Sequence, residues 1–449
     1  MDKKIKILTL SDHPLSPSGV GTQTKYFITS LLNTGKFQFY SLGGAIQHAD
    51  YNILKTEEYK DDWIIQPVNG YGDQDMIRSI IRNWKPDVLW FMTDPRFYTW
   101  LWEIENEIRS LVPMVYYHVW DNYPYPTYNK IWYDSNDVVA TISKLTSDVV
   151  KNVSPDVEEH YVPHAVPTDV LKKIDEGVVN NWKKQYFNIS QTDNHFLIFW
   201  NSRNARRKQS GSLIYWFNDF VNHLSKKHPG AKATLLMHTD PKDPNGQDLH
   251  AIITELKLNQ NYKNKPGVVN ISTEKIDLPT LSMLYNAADV TMGISDAEGF
   301  GLSTFESLAC ETPIIVTMTG GLQEQVSNLK EISHEAVLKR NREQDLVTEY
   351  DHGIGIEPSS KSIIGSQQVP FIYEDRISGD SVVEALMKMY EYGREKREEL
   401  GSKGRAHILD NYSLDSFSKK WEKIITDVYK NKGSWENRKN YKKWELISI

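Results

Sequence analysis

Two glutamates and the residues between them form the stretch of this sequence best suited to ligand chemistry. Glu298 and Glu306 lie eight positions apart, with a Gly-Phe-Gly turn after the first and a short predicted helix around the second. Backbone N–H groups at a helix N-terminus, together with the positive end of the helix dipole, suit a phosphate. A neighbouring carboxylate suits sugar hydroxyls instead, because these donate hydrogen bonds. The stretch therefore predicts a ligand that carries both kinds of group.

The elements around these glutamates are predicted to be a loop, a short helix, a turn and a buried strand. The helix runs on through Ser307 to a Thr-Pro turn, the strand is Ile314-Ile-Val316, and Gly320-Gly321 opens the next element. This combination resembles the Glu-x7-Glu signature of retaining, nucleotide-sugar-dependent glycosyltransferases of the GT-B fold (family 4, glycosyl transferases group 1). The resemblance implies that Glu298 contacts the transferred sugar and Glu306 the donor ribose. It also implies that the intervening residues lie against the donor: Gly299, Phe300, Gly301 and Leu302.

The rest of the chain alternates short apolar runs with amphipathic helical patterns, which is typical of α/β proteins with parallel sheets. At 449 residues, the chain exceeds what one hydrophobic core usually serves, so two domains are expected. The resemblance implies two Rossmann-like domains facing across a cleft. Residues 1–170 would form the acceptor domain and residues 171–413 the donor domain, with the helix from 414 onward crossing back to the first. The polar stretch 172–188 is predicted to be the linker, and 331–367 a long polar insertion.

A basic turn follows the predicted strand Phe196–Trp200. The resembling family places an arginine and, five residues later, a lysine at this turn to hold the donor diphosphate, and Arg203 and Lys208 match that spacing. Cations facing a diphosphate would stabilise the leaving group. Arg206 and Arg207 compete for the role, and Ser202 and Gln209 stand where the family has glycine. A solvated basic turn is the alternative. The family's backbone meets the nucleobase in the turn that contains Ile276.

The first predicted strand, Lys6–Leu10, leads into a loop that contains Gly19 and Gly21. These glycines let the backbone approach a ligand at the carboxyl edge of the sheet, and the family's corresponding loop closes over the donor sugar. A dinucleotide fingerprint would require a third glycine where this chain has Thr24, which disfavours a nicotinamide oxidoreductase. His118 ends another predicted strand, where the family carries a histidine that contacts the donor sugar. The alternative is a histidine that bonds to local backbone.

Aromatic residues cluster just after His118, and they could stack on the acceptor or pack within their own loop. They are Trp120, Tyr123, Tyr125 and Tyr128. Stacking on a sugar ring predicts an enzyme that acts on a saccharide or glycoconjugate. Stacking on a base predicts transfer to a hydroxymethylated base in DNA, as in some viral modification systems. The net charge of -7 weighs against a large phosphate-backbone footprint, so the saccharide is preferred.

Asp73 and Asp75 match a D-x-D pattern that binds divalent metal in another transferase fold, but they directly precede a predicted amphipathic helix. Capping that helix is the simpler interpretation. The resembling family neutralises the diphosphate with basic side chains and backbone. No metal and no cofactor are therefore expected, and the sugar nucleotide is a substrate.

The sequence therefore predicts a retaining, metal-independent glycosyltransferase that uses a UDP- or GDP-sugar. A GT-B epimerase or hydrolase would share the donor site, and a non-catalytic sensor would bind sugar nucleotide without turnover. Cys310 is predicted to be a small core residue. No apolar run is long enough to span a bilayer, and the N-terminus lacks a signal-peptide pattern, so a cytoplasmic protein is expected. The basic, aromatic stretch 430–444 is expected to dock on the first domain, with peripheral membrane contact as the alternative.

Overall fold

The structure is a computed structural model that describes residues 3–190, 193–259 and 266–442 of the chain. It divides into two compact units. Unit 1 comprises Met1–Ala165, Ser366–Pro370 and Leu414–Ile449, and unit 2 comprises Val166–Gly365 and Phe371–Ser413.

Unit 1 contains an eight-stranded sheet in the order β3-β4-β2-β1-β5-β6-β7-β8. Its strands are β1 Ile5–Asp12, β2 Phe37–Gly44, β3 Leu54–Lys55, β4 Trp63–Pro67, β5 Val88–Thr93, β6 Met114–His118, β7 Val138–Thr141 and β8 Glu159–Tyr161. All neighbouring strands pair in parallel except β3 and β4. The buried apolar runs of the sequence are the central strands, which confirms the α/β prediction.

The helices of unit 1 connect these strands. They are α1 Gly19–Leu32, α2 Gln74–Trp84, α3 Thr99–Trp102, α4 Glu105–Arg109, α5 Lys130–Asp134 and α6 Lys144–Val153. Side-chain caps fix where several of them begin, since a capping oxygen satisfies an N–H that has no intrahelical acceptor. The Asp73 carboxylate accepts from the backbone N–H of Met76, and Ser143 forms a capping box with Thr146. The capping prediction for Asp73 is thus confirmed.

Unit 2 contains a seven-stranded sheet in the order β11-β10-β9-β12-β13-β15-β14. Its strands are β9 His195–Asn201, β10 Lys232–His238, β11 Gly267–Ser272, β12 Val290–Gly293, β13 Ile314–Thr317, β14 Val347–Tyr350 and β15 Gly353–Ile356. All neighbours are parallel except β14 and β15. A separate antiparallel hairpin follows, made of β16 Ser360–Ile364 and β17 Ile372–Arg376.

The helices of unit 2 surround its sheet. They are α7 Glu176–Phe187, α8 Ser210–Lys227, α9 Leu249–Glu255, α10 Leu278–Ala287, α11 Leu302–Ala309, α12 Leu322–Val326, α13 His334–Glu343, α14 Gly379–Glu391 and α15 Gly393–Asn411. The sequence Asp-Leu-Pro-Thr sets the start of α10, because the Asp277 carboxylate accepts from the backbone N–H of Thr280 and a proline lies in the first turn.

The last helix, α16 Leu414–Lys432, belongs to unit 1 and packs on α1 through aromatic side chains. Trp421 is fully buried, with ring centroids 4.9 Å from Phe27 and 5.0 Å from Tyr117. Phe27 in turn stacks on Trp90 of β5 at 4.2 Å. Burial of large rings in offset or edge-on contact contributes strongly to a core, so α16 is an integral part of unit 1.

The residues that follow α16 also lie on unit 1. The Trp435 indole donates to the carbonyl of Pro86, and the Tyr441 hydroxyl donates to Asn106. Arg438 pairs with the buried Asp137 carboxylate at 2.5 Å. Docking of the aromatic residues is therefore confirmed for 430–442, while residues 443 and 444 of the predicted stretch lie outside the described residues.

Two predictions about irregular segments are wrong. Residues 331–367 are not one long insertion, because they include α13 and the strands β14 and β15 of the sheet. The sequence of α13 is rich in charged residues and its one buried residue is Val337, so it shows no apolar pattern typical of a helix. β15 is a short Gly-Ile-Gly-Ile run. The predicted linker 172–188 mostly forms α7, whose one buried residue is Val179. Neither helix has the wide apolar stripe that marks a helix in sequence.

None of the helices that the structure describes is long and apolar enough to span a membrane.

Candidate active site

Three adjacent parallel strands of unit 2 bring the candidate residues together. β9, β12 and β13 are neighbours in the sheet, and the loops 202–209, 294–301 and 318–321 follow them at the carboxyl edge. Carboxyl ends of parallel strands share one edge, which is where open α/β sheets bind ligands. The basic turn and the Glu298 loop are bonded directly to each other, since the backbone N–H of Asp296 donates to the carbonyl of Arg207 over 2.8 Å.

Glu298 lies between cations and backbone donors. Lys208 Nζ donates to Glu298 Oε2, and Arg207 Nη1 lies 3.5 Å from the same oxygen. Arg207 also donates to the carbonyl of Ala297 over 2.8 Å. The Glu298 carbonyl accepts from the backbone N–H of Gly321 at 2.9 Å. A carboxylate and two cations thus occupy one small region, as a ligand with both hydroxyls and phosphates would require.

The Gly-Phe-Gly turn is held by one buried ring and one left-handed glycine. Phe300 is buried and packs against Phe305 at a centroid distance of 4.9 Å. Gly301 has φ 89°, and a Cβ there would lie 2.4 Å from Leu322 Cδ2, so a larger residue would strain the turn. Leu302 begins α11 directly after it. The turn therefore fixes the N-terminus of α11, and Gly299 and Gly301 flank the buried ring.

Glu306, one turn inside α11, is bonded to a tyrosine on the neighbouring helix. The Tyr285 hydroxyl donates to Glu306 Oε2 over 2.7 Å, and Asn201 Nδ2 donates to the same hydroxyl over 3.0 Å. Because Asn201 supplies a proton to the hydroxyl oxygen, the hydroxyl proton points at the carboxylate. Burial raises the pKa of Glu306 to about 7. Tyr285 was not predicted, since in the sequence it reads only as an apolar position of α10.

The predicted pair of Arg203 and Lys208 does not converge. Arg203 pairs with Asp243, with Nε 2.6 Å from Oδ2, and its side chain is 64% exposed. The Lys208 side chain is 15% exposed and meets Glu298. Arg206 pairs with Glu374 instead. Arg207 and Lys208 are therefore the cations that lie beside Glu298, and Arg203 is oriented toward the 240–247 loop.

Ile276 lies in the turn between β11 and α10, where the nucleobase is expected. It lines a pocket of about 540 Å³ together with Ser272, Thr280 and aromatic residues of α7. A second cavity of about 730 Å³ lies at the opposite, amino edge of the sheet, beside the starts of β9 and β12. Ion pairs such as Arg397–Asp289 and Arg394–Glu176 cross its lining, so its charged groups already have structural roles.

In unit 1, Gly19 and Gly21 form the start of α1 at the carboxyl edge of β1. Ser18 caps this helix by accepting from the backbone N–H of Gly21, and its hydroxyl donates to Asp12 over 2.5 Å. Tyr71 donates to the other Asp12 oxygen over 2.8 Å. Burial raises the pKa of Asp12. The glycine loop is thus anchored to the end of β1 by a buried carboxylate.

His118 ends β6 but is fully buried, and both of its ring nitrogens are occupied. Nδ1 lies 3.1 Å from the Tyr116 hydroxyl and Nε2 lies 2.8 Å from the Tyr133 hydroxyl. The Tyr116 hydroxyl donates to the carbonyl of Thr93, so it accepts from His118 Nδ1. Burial lowers the pKa of His118 to about 3. In this conformation His118 is a neutral imidazole held between two tyrosines.

The aromatic cluster after His118 is partly core. Trp120 and Tyr123 are buried, whereas Tyr125 and Tyr128 are half-buried. Tyr123 and Tyr125 both donate to the Asp148 carboxylate, at 2.7 and 2.9 Å. Ring faces available to a ligand are therefore offered by Tyr125 and Tyr128 rather than by the two buried rings.

Part of the chain matches a known family in sequence. Residues 255–352, which include Glu298 and Glu306, match the family model described as Glycosyl transferases group 1. A stretch of 71 residues is 32% identical to D-inositol 3-phosphate glycosyltransferase of Paenarthrobacter aurescens. This match spans 15% of the present chain and 17% of that relative's length.

Known structures resemble nearly the whole chain. Sucrose-phosphate synthase from Thermosynechococcus elongatus has a TM-score of 0.67 at 13% identity, covering 95% of this chain and all of that one. A glycosyltransferase from Rickettsia africae has a TM-score of 0.63 at 16% identity, with coverages of 96% and 100%. Anabaena Alr3699/HepE in complex with UDP and glucose has a TM-score of 0.63 at 12% identity, with coverages of 94% and 99%. The chain therefore has the GT-B fold, and its residues 255–352 match the model of glycosyl transferases group 1.

Proposed function

We propose that this protein is a retaining glycosyltransferase that moves a sugar from a UDP- or GDP-sugar to an acceptor hydroxyl of a saccharide or glycoconjugate. The observation that carries the proposal is the meeting of Lys208 and Arg207 with Glu298 at the carboxyl edge of β9 and β12. Nucleotide sugars combine an anionic diphosphate with hydroxyl-rich rings. Fixed cations beside a carboxylate match that combination.

Each group has a chemical task in this proposal. Lys208 and Arg207 stabilise the charge that develops on the departing diphosphate, and the N-terminus of α11 adds its dipole. Glu298 accepts hydrogen bonds from the sugar that is transferred, and Glu306 accepts from the ribose. When the donor binds, Lys208 exchanges Glu298 for phosphate oxygens. Glu298 is then available to the sugar hydroxyls.

Retention follows from front-face displacement, in which the departing phosphate helps to deprotonate the acceptor hydroxyl. No protein nucleophile is assigned. Cys310 is not a candidate nucleophile, because it is buried and its pKa is raised to about 12. Basic side chains take the place that a metal would have beside the diphosphate. Asp73 caps α2, and Asp75 is fully exposed on the first turn.

The test is turnover of a panel of UDP- and GDP-sugars, followed by NMR assignment of the product anomer. Slow hydrolysis or transfer with retention of the donor's anomeric configuration supports the proposal. An inverted product contradicts the retaining mechanism. Absence of turnover with every donor contradicts the proposal that the protein is a glycosyltransferase. Activity should persist in EDTA. Strict dependence on a divalent metal would contradict the metal-independent mechanism and favour a metal-binding role for Asp73 and Asp75.

A further inference from the structure

The β16–β17 hairpin lies beyond the segment that matches the family model, and it contains two consecutive buried acids. Glu374 and Asp375 are 2% and 1% exposed. Successive residues of a strand point to opposite faces, so both faces of this strand are covered here. Buried carboxylates are costly unless they are paired and hydrogen-bonded, and their partners therefore indicate what the hairpin is built to hold.

Glu374 holds the basic turn. Arg206 Nη1 donates to Glu374 Oε2 over 3.0 Å, and the second guanidinium nitrogen bonds the other carboxylate oxygen. Arg376 also bonds Glu374 and donates to Asp296 Oδ2 over 2.9 Å. Gln209, at the other end of the turn, donates to Asp296 Oδ1 over 2.7 Å. The hairpin and Asp296 therefore hold the turn at Arg206 and at Gln209, on both sides of Lys208.

Asp375 holds the two other loops of the candidate site. Its backbone N–H donates to the carbonyl of Asp296 over 2.7 Å, two residues before Glu298. Its carboxylate accepts from the Thr319 hydroxyl over 2.7 Å and pairs with Lys361 across the hairpin. Thr319 directly precedes Gly320-Gly321. One short strand is thus bonded to all three loops that follow β9, β12 and β13.

We propose that this hairpin is a positioning element of the donor site, in which Glu374 acts through Arg206 to hold Lys208 and Arg207 where the donor diphosphate binds. The inference rests on the proposed function and adds a determinant of diphosphate affinity that lies outside residues 255–352. A two-point guanidinium–carboxylate contact fixes direction as well as distance, which a single contact does not. Glu374 touches no part of the donor in this proposal.

A purely repulsive role for Glu374 predicts the opposite change in diphosphate affinity when its charge is removed. If Glu374 only added negative charge near the diphosphate, its neutralisation would strengthen diphosphate binding, because like charges repel. If Glu374 positions the turn, its neutralisation weakens diphosphate binding. The isosteric variant Glu374→Gln removes the charge with little change in volume and therefore separates the two roles.

The experiment measures calorimetric affinity for a nucleoside diphosphate and for its nucleoside, using UDP with uridine and GDP with guanosine. The full chain is compared with Glu374→Gln, Arg206→Gln and the double variant. Glu349→Gln is the matched control, since Glu349 is also a strand glutamate of unit 2 that pairs with a cation, Lys396, but it lies on β14. We expect each single variant to weaken diphosphate binding by about tenfold, as for loss of a charged hydrogen bond, and nucleoside binding by less than about twofold. The double variant should lose no more diphosphate affinity than the single variant that binds more weakly, because the two residues act as a unit.

Several results would overturn the inference. They are tighter or unchanged diphosphate binding in Glu374→Gln, equal losses for nucleoside and diphosphate, or additive losses in the double variant. If Glu374→Gln does not fold, Arg206→Lys decides, because that side chain is 61% exposed and the lysine keeps the charge but loses the two-point contact with Glu374. Unchanged diphosphate binding in Arg206→Lys would then overturn the inference. If the parent protein itself binds neither nucleotide, the proposed function fails and the inference fails with it. A parent that binds while Glu374→Gln is unaffected refutes the inference alone.

Discussion

At the residue scale, the candidate site is a set of groups whose charge states depend on their partners. Glu306 has its pKa raised to about 7 by burial, with the Tyr285 hydroxyl as its hydrogen-bond donor. Cys310 is the other titratable group that interacts with it, and the pKa of that thiol is itself raised to about 12. A carboxylate accepts from ribose hydroxyls best when it is ionised, because protonation turns one of its two oxygens into a donor.

We expect donor affinity to fall as pH decreases through about 7. The sign follows from the raised pKa: the ionised form dominates above it, and protonation below it removes an acceptor. Between pH 8 and pH 6 the ionised fraction falls by about tenfold, and affinity for a sugar nucleotide should fall similarly. A sugar nucleotide is the right probe because its diphosphate does not titrate in this range. Calorimetry at a series of pH values provides the measurement.

Two variants make this pH profile specific to Glu306. Glu306→Gln keeps an oxygen acceptor but cannot titrate, so its affinity should vary little over the same range. Tyr285→Phe removes a hydrogen bond that favours the ionised form, so the midpoint of the profile should move to higher pH. A parent profile that is flat, or a Glu306→Gln profile identical to that of the parent, would show that another group controls binding.

Lys208 and Arg203 should differ in their contributions, although both fit the family spacing. Lys208→Gln is expected to weaken nucleoside diphosphate binding by about tenfold or more, because it removes a cation beside Glu298. Arg203→Gln should change it by less than about threefold, since Arg203 is exposed and pairs with Asp243. Titration with a nucleoside and its diphosphate checks this, the nucleoside serving as the charge-free control. A larger loss in Arg203→Gln would mean that the 240–247 loop rearranges on binding.

At the element scale, parallel sheets with crossover helices bring distant residues to shared edges. Residues 207, 298 and 321 come from different βα units. The Glu298 carbonyl accepts from the backbone N–H of Gly321, and the Arg207 carbonyl accepts from the backbone N–H of Asp296, two residues before Glu298. Each sheet also depends on a strong local core. In unit 1 that core includes Trp421 of α16, which makes edge-on contacts with Phe27, Trp90 and Tyr117.

Trp421→Ala should destabilise unit 1 by about 3–5 kcal/mol, the cost of deleting a large buried ring and leaving a cavity. Phe97→Ala is the matched control, because Phe97 is aromatic but 47% exposed in the same unit. That substitution should cost less than about 1 kcal/mol. Urea unfolding of both variants provides the free energies. Similar costs for the two substitutions would contradict the assignment of α16 to the core of unit 1.

Sequence patterns predicted the elements with strong periodicity and missed those without it. Buried strands such as β9 and β13 and the helix cap at Asp73 follow from local rules and were predicted. α7 and α13 each bury one residue and are otherwise polar or charged, so their sequences show no apolar stripe by which to predict a helix. Glu374 and Asp375 were not among the predicted site residues, because their burial depends on partners about 168 and 56 positions away in sequence. Such long-range pairs leave no local signal.

At the scale of the whole molecule, the net charge bears on whether the acceptor is a saccharide or DNA. The net charge is -7, and the residues that follow β6 offer half-buried tyrosines rather than a basic surface. A protein that grips DNA releases counterions from many phosphates, and its affinity then falls steeply with salt. A neutral saccharide held by stacking and hydrogen bonds has no such dependence.

We expect acceptor affinity to change by less than about twofold between 50 and 200 mM salt, as for an uncharged saccharide. Transfer assays with oligosaccharides and with hydroxymethylated DNA, each run across this salt range, provide the comparison. Transfer to hydroxymethylated DNA that declines steeply with salt, with none to glycans, would assign the protein to DNA modification. The donor chemistry would be unchanged by that result.

The most direct test of the account is calorimetric titration of UDP and GDP into the parent protein and into Glu306→Ala. We predict that the parent binds at least one of the two nucleotides. Glu306→Ala should bind it about 1–3 kcal/mol more weakly, because a charged acceptor for the ribose has been removed. Thermal unfolding of the variant verifies that it is folded. A parent that binds neither nucleotide, or a folded Glu306→Ala that binds as the parent does, would contradict the donor site described above.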